Sequence, residues 1–317
     1  MKTWIDFDEA GVFAIPLTDE LDGQRVYQGM LIEGPQGWGE FSMPRDCDDE
    51  RAGRWLTASI EAGTVGWPDP VRGRVPVAVT VPAVDPDRAR RIVSAAACRT
   101  AAVRVGQTGG TLDGDIARVE AVRDALGAAG AIRCTAAGNW DVDTAATAIA
   151  ALDRAAGGLE FIQQPCRTLG ETATLRAMIA LPVAVDATHA NLTAVADIAV
   201  LNVGKLGGVR RALRVAETSG LPCVVGASLQ SSIGTAGGLA LAGALPDTGF
   251  ASELATVGLL AGDVVSAGRS LIASDGYLPV APMPAPPDAD RLARFAVTDP
   301  ETVAWWRNRL TAAQRYL

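Results

Sequence analysis

The 317-residue sequence contains a single histidine, His189. A metal centre built on several histidines is therefore excluded, and a Ser-His-Asp triad has one imidazole to draw on. Basic residues are outnumbered, 28 Lys+Arg against 36 Asp+Glu, for a net charge of −8. That balance argues against nucleic acid or an anionic membrane surface as partner. The chain has no uninterrupted apolar run near the ~20 residues of a membrane span. Its first residues, MKTWIDFDEA, carry acids where a secretory signal carries bases followed by an apolar core. The five cysteines (Cys47, Cys98, Cys134, Cys166, Cys223) are odd in number and contain no C-x-x-C pair. That pattern suits free, buried thiols in a reducing cytoplasm better than a disulfide framework. No G-x-G-x-x-G follows a strand-like run, which weakens a dinucleotide site. A soluble cytoplasmic protein with a small-molecule partner is expected, its oligomeric state open.

What the chain has is apolar bulk: 49% of its residues are hydrophobic and 20% charged, enough for a large core. Residues 1–75 read as a small α+β unit. GVFAIPL and VYQGMLIEG are strand-like, separated by TDELDGQR, which reads as a polar turn or loop, and a helix-like segment runs from about Asp48 to Ala62. From Val75 a βα rhythm takes over. PVAVTVPA, AAVRVG, IRCTAAG, LEFIQQP, PVAVDA, IAVLNVG, LPCVVGAS and FASEL are strand-like runs, most of them followed by helical spacing. Eight near-regular repeats favour a closed parallel barrel over an open doubly wound sheet. The proline-rich APMPAPPDAD is expected to run extended. The segment from Thr298 to the C-terminus reads as a capped helix with Thr298 or Asp299 as cap, Pro300 in its first turn and Trp305 and Trp306 packing it down.

In such a barrel the site forms at the C-terminal ends of the strands. In this chain those ends carry Ala102 and Arg104, Thr135 and Ala137, Gln163, Asp186, Asn202 and Ser228. The runs LIEGPQGWGEF, RVPVAVTVPAV, ARVEAVRDALG, WDVDTA, LDRAAGGLEFIQQPC, ADIAVLNV, LGGVRRALRVAE and LLAGDV resemble the o-succinylbenzoate synthase branch of the enolase superfamily in its actinobacterial form. The likeness extends from about Val12 to Val264. It implies a (β/α)7β barrel (76–264) under an N-terminal α+β capping domain (1–75, completed by 265–317). It also implies a Lys-x-Lys pair on the second strand, a lysine on the sixth, and three carboxylates ending the third, fourth and fifth strands around a Mg2+ that stabilises an enediolate.

Position by position, the lysine pair falls on Ala102 and Arg104, and the sixth-strand lysine on Asn202. The metal carboxylates fall on Thr135, Gln163 and Asp186, of which only Asp186 is kept, and an asparagine of the family falls on Ala137. Gln163 and Asn202 cannot act as bases, Thr135 is a poor Mg2+ ligand, and Arg104 stays protonated. Neither a metal nor another cofactor is expected. Arg104 and Asp186 are expected to meet in the barrel mouth, either as a neutralising ion pair or as a clamp and an acid/base group. Lys205 and His189 read as loop residues near the pocket. Ser228, Gln230 and Ser231 either orient a ligand or cap the following helix, and Glu253 faces either the pocket or a helix.

The capping stretch from Thr18 to Arg25 carries three acids and one arginine, and Tyr27 and Gln28 stand where relatives tend to have an Arg-Glu pair. Both features point to a neutral or weakly polar ligand. The reading that follows is a repurposed, metal-independent enzyme of cyclisation, isomerisation or dehydration. Arg104, Asp186, Asn202, Gln163 and Thr135 would be its catalytic residues, and Ala102, Ala137, Lys205, Ser228, Gln230 and Tyr27 would bind substrate. A silent scaffold is the second reading and a genuine o-succinylbenzoate synthase the third.

Overall fold

The computed structural model describes residues 5–189, 191–226, 228–247 and 249–317. Along the chain run β1 (Gly11–Leu21), β2 (Gln24–Glu33), β3 (Trp38–Phe41), α1 (Asp49–Thr64), β4 (Arg74–Pro76), β5 (Ala78–Val81), α2 (Pro86–Ala96), β6 (Thr100–Arg104), α3 (Leu112–Leu126), β7 (Ala131–Thr135) and α4 (Val142–Ala156). Then follow β8 (Ile162–Gln163), α5 (Leu169–Met178), β9 (Val183–Asp186), β10 (Ile198–Leu201), α6 (Val203–Leu206), α7 (Val209–Ser219), β11 (Cys223–Val225), α8 (Ser232–Ala244), β12 (Tyr277–Pro279), α9 (Ala289–Phe295) and α10 (Pro300–Gln314).

β1, β2 and β3 form an antiparallel sheet. The stretch expected as a polar loop is mostly strand: only Asp22 and Gly23 turn, with φ of 49° and 79°. Two successive positive φ values are what a two-residue hairpin turn matched to strand twist requires, and Asp-Gly supplies them at low cost. The acids of this stretch therefore stand on a hairpin arm that reaches the barrel, where Asp19 pairs with Arg88 of α2 at 2.6 Å. α1 and α10 pack together and close the cap's core. Trp306 is buried there, edge-on to Phe41 with ring centroids 6.0 Å apart. Asp299, not Thr298, caps α10 by accepting from the Thr302 amide.

Seven parallel strands stand in the order β11-β10-β9-β8-β7-β6-β5. The gap between the two edges is closed by residues 252 and 253. Ala78 donates its amide to the Ser252 carbonyl, Ser252 donates to Pro76, and Glu253 donates to Val225. The expected eighth strand is thus a short bridging segment. Strand alternation divides the side chains between two cores. Ile132 and Cys134 join the layer under the helices, whereas Phe161, Ala184, Ile198, Val200 and Val224 fill the barrel interior. The residue after each interior position in that alternation emerges at the mouth: Gln163 follows Phe161, Asp186 follows Ala184, and Asn202 follows Val200.

Many of the chain's acids sit at helix starts, where free amides and the helix dipole favour them. Asp48, Asp85, Asp141, Asp288 and Asp299 are all N-caps. Thr168 and Glu171 form a reciprocal capping box at α5. Replacing Thr168 by alanine is expected to lower stability by about 1 kcal/mol in urea unfolding; an unchanged midpoint would show that the box contributes nothing. All five cysteines are free thiols.

Candidate functional site

The strand ends converge as the barrel dictates, but the charges on them pair differently from expectation. Arg104 does not meet Asp186. Its Nη1 donates to Glu253 Oε1 at 2.8 Å and its Nε lies 3.4 Å from Asp22 Oδ2 at the hairpin tip. Burial works against the Arg104 cation, yet the carboxylates of Glu253 and Asp22 outweigh it and hold the guanidinium above its usual pKa. Glu253 therefore faces inward, 3% exposed, with Thr80 as a further hydroxyl partner.

Below it sits a residue that the strand-end reading passed over. Arg133 is 1% exposed inside the barrel, stacked over Phe161 at 5.0 Å and donating to the Ala251 carbonyl. Burial pushes its guanidinium below the usual value. Its place was legible: it lies two residues before Thr135, on the same face of the same strand.

Asp186 pairs with Lys205, Nζ to Oδ2 at 2.5 Å. Lys205 is thus no loop lysine. Asn202 is the N-cap of α6: its Oδ1 accepts from the Lys205 amide at 3.1 Å, and its Nδ2 donates to Ser228 Oγ at 2.9 Å. The one-turn helix that Asn202 starts carries Lys205 back across the barrel mouth. The backbone amide of Asp186 donates to Gln164 Oε1 at 2.9 Å. Thr135 and Gln163 are register neighbours on β7 and β8, beside β9, and Thr135 Oγ1 is buried with no partner among the described residues. Ala102 is buried in the barrel wall and Ala137 is exposed with φ of 53°.

Cap and barrel meet through a second buried acid that the sequence did not flag. Glu40 on β3 accepts from Tyr27 Oη at 2.5 Å and from the Ser231 hydroxyl and amide at the start of α8. Burial raises its carboxyl to about pH 7 despite these donors. Tyr27 thus gives its hydroxyl to Glu40, and Ser231 caps α8 as well. Gln230 packs beside Gly234 and Glu40 at the same joint.

Two clefts open along the cap–barrel seam and share Trp55 and Pro44. One, of about 400 Å3, reaches Tyr27, Gln28, Arg45 and Ser228. The other, of about 530 Å3, reaches Asp186, Thr188, His189 and Lys205. His189 is exposed there.

The Mg2+ implied by the family resemblance meets an unsuitable donor set. The three positions offer an alcohol, an amide and one carboxylate already bound to an ammonium, where the ion asks for an octahedron of hard, largely anionic oxygens. Among the described residues no three His, Cys, Asp or Glu side chains come together to hold an ion.

Comparison with known proteins places the chain. Residues 85–284 match the enolase C-terminal domain-like family and residues 12–63 the enolase N-terminal domain-like family. The o-succinylbenzoate synthase of Thermobifida fusca (strain YX) is 44% identical over 310 residues, covering 95% of each chain. That of Mycolicibacterium smegmatis is 39% identical, covering 95% of this chain and 94% of its own. That of Mycobacterium tuberculosis (strain ATCC 25177 / H37Ra) is 36% identical, covering 98% and 95%. Among solved structures, a muconate lactonizing enzyme from Pseudomonas fluorescens superposes with a TM-score of 0.77 at 22% identity, covering 92% of this chain and 98% of that one, a likeness of fold alone. These relatives overturn the order of readings drawn from the strand ends. The repurposed cyclase or isomerase and the silent scaffold both give way to the synthase reading, which had been placed last. With both halves matched and full-length relatives of this similarity, the chain belongs to the enolase superfamily, beside the o-succinylbenzoate synthases.

Proposed function

We propose that this protein is an o-succinylbenzoate synthase working at the cap–barrel seam. The observation that carries the reading is 44% identity to the Thermobifida fusca synthase over 95% of both chains. The ligand is then a carboxylate, and the acids of residues 18–25 do not oppose it, because two of the three are paired with barrel arginines: Asp19 with Arg88 and Asp22 with Arg104. The cleft of about 400 Å3 offers the Arg45 guanidinium, which is held by Gln28 Oε1 at 2.6 Å. It also offers the Ser228 hydroxyl, so a carboxylate meets donors there.

At the strand ends, Asp186 and Lys205 open onto the neighbouring cleft, whereas Glu253 is closed off under Arg104. Asp186 and Lys205 are therefore the strand-end pair placed to take and return a proton. Asn202, Gln163, Thr135 and Arg104 complete the polar wall, with Ala102, Ala137, Gln230 and Tyr27 shaping it. The reading divides the chain into a cap (1–75 with 265–317) and a barrel (76–264) and places the protein in the cytoplasm. No helix among the described residues is long and apolar enough to cross a membrane.

The test is formation of o-succinylbenzoate from its hydrated precursor by the purified full-length chain. Wild type is expected to turn over, and Asp186→Asn to lose roughly 10²–10⁴-fold of kcat. Wild-type product at the uncatalysed rate would sink the assignment.

A further inference from the structure

We propose that the Lys205 ammonium is the resident cation of this site: seated on Asp186 by the helix turn that Asn202 starts, it takes the place beside that carboxylate which the superfamily gives to a divalent metal ion. The inference adds to the synthase reading for the reaction it would serve, but its grounds are geometric. The three positions end the neighbouring strands β7, β8 and β9: Thr135 stands opposite Gln163, Gln163 stands opposite Ala184 two residues before Asp186, and Thr135 and Gln163 carry no charge. The third, Asp186, is 17% exposed at its side chain and holds the ammonium at 2.5 Å, a short charge-assisted contact.

Lys205 is fixed there from two sides. Asn202 Oδ1 accepts from its amide and sets the start of α6. From the cap, the Trp55 ring lies against Gly204, so close that a Cβ at that position would fall 2.1 Å from the ring. Only glycine lets α1 press on α6 in this way, and the pressure holds the turn that bears Lys205. The exchange is consistent in charge and shape. The sixth-strand lysine that the family resemblance implies is absent, and an asparagine in its place starts a turn that presents a lysine three residues later. A lone carboxylate left partly buried would be costly, and a single ammonium neutralises it without a coordination sphere. A divalent ion at the same carboxylate would face this ammonium at contact distance, where like charges repel.

Titration of the purified full-length chain with Mn2+, followed by electron paramagnetic resonance and calorimetry, tests this directly. Wild type is expected to show no saturable site through the millimolar range. A stoichiometric site in wild type that Asp186→Asn abolishes would overturn the proposal. The second arm rebuilds the missing ligands. Thr135→Asp with Gln163→Glu is expected to bind Mn2+ only weakly while Lys205 remains, and to gain about tenfold or more in affinity when Lys205→Met is added. Equal affinity with and without Lys205 would also overturn it. Should the rebuilt variants fail to fold by circular dichroism, the wild-type titration decides alone. Failure of o-succinylbenzoate formation in wild type would remove the functional reading while leaving the Mn2+ result intact, so the two failures are separable.

Discussion

Replacing Glu253 by alanine is expected to destabilise the protein by about 3–5 kcal/mol, because it strips the counter-charge from two buried guanidiniums. Glu253 Oε1 accepts from Arg104 at 2.8 Å, and its charge supports Arg133 in the layer below. Without it, the carboxylates that remain beside them among the described residues are the partly exposed Asp22, 3.4 Å from Arg104, and Glu160, 3.9 Å from Arg133. Neither contact replaces a buried carboxylate at hydrogen-bond distance. Urea unfolding monitored by tryptophan fluorescence gives the comparison. Arg25→Ala serves as control, since its pair with Glu20 is largely solvated and its loss should leave the midpoint where it was. A loss below about 1 kcal/mol for Glu253→Ala would mean that water enters the barrel and supports the arginines.

Stability is expected to fall as pH rises from about 4.5 to about 7, by roughly 3 kcal/mol, through Glu40 alone. Burial is the main cause of the raised carboxyl, with the neighbouring Asp263 adding to it, and the Ser231 and Tyr27 donors only partly offset them. The folded state therefore holds a proton on Glu40 at pH values where the unfolded chain has released it. Its contribution is complete below the unfolded value and is lost as pH climbs through the folded one. The residue lies where the cap's β3 meets the start of α8, so the cost falls on the joint between the two units. Glu40→Gln keeps the shape and removes the titration. The variant should flatten the pH profile of unfolding free energy between those values, and a slope equal to that of wild type would refute the assignment to Glu40.

Much of the architecture was legible because it is local. Apolar runs of four to eight residues followed by amphipathic stretches are a short-range signal, and the cap Asp299, one of the two residues offered for α10, stands where its side chain meets the amide three residues on. Two local readings went astray for physical reasons. The stretch from Thr18 to Arg25 looked like a loop from its charge, but an Asp-Gly pair can turn a hairpin in two residues and leave the rest as strand. Lys205 looked like a loop residue because a one-turn helix leaves too little periodicity to read. Its cap, Asn202, was visible, but had been read as a replaced lysine and a catalytic residue, not as the start of a helix.

The sequence by itself determined the barrel class and the inventory of strand-end side chains, since these follow from periodicity, order and residue type; the family came from its likeness to known sequences. Tertiary structure alone decided which charges meet. Arg104 joins Glu253 across 149 residues and Asp22 across 82, while Asp186 joins a lysine 19 residues away. Each choice depends on where barrel closure and the cap bring the partners, and an ion pair's energy falls away within a few ångströms in a way that sequence distance does not encode.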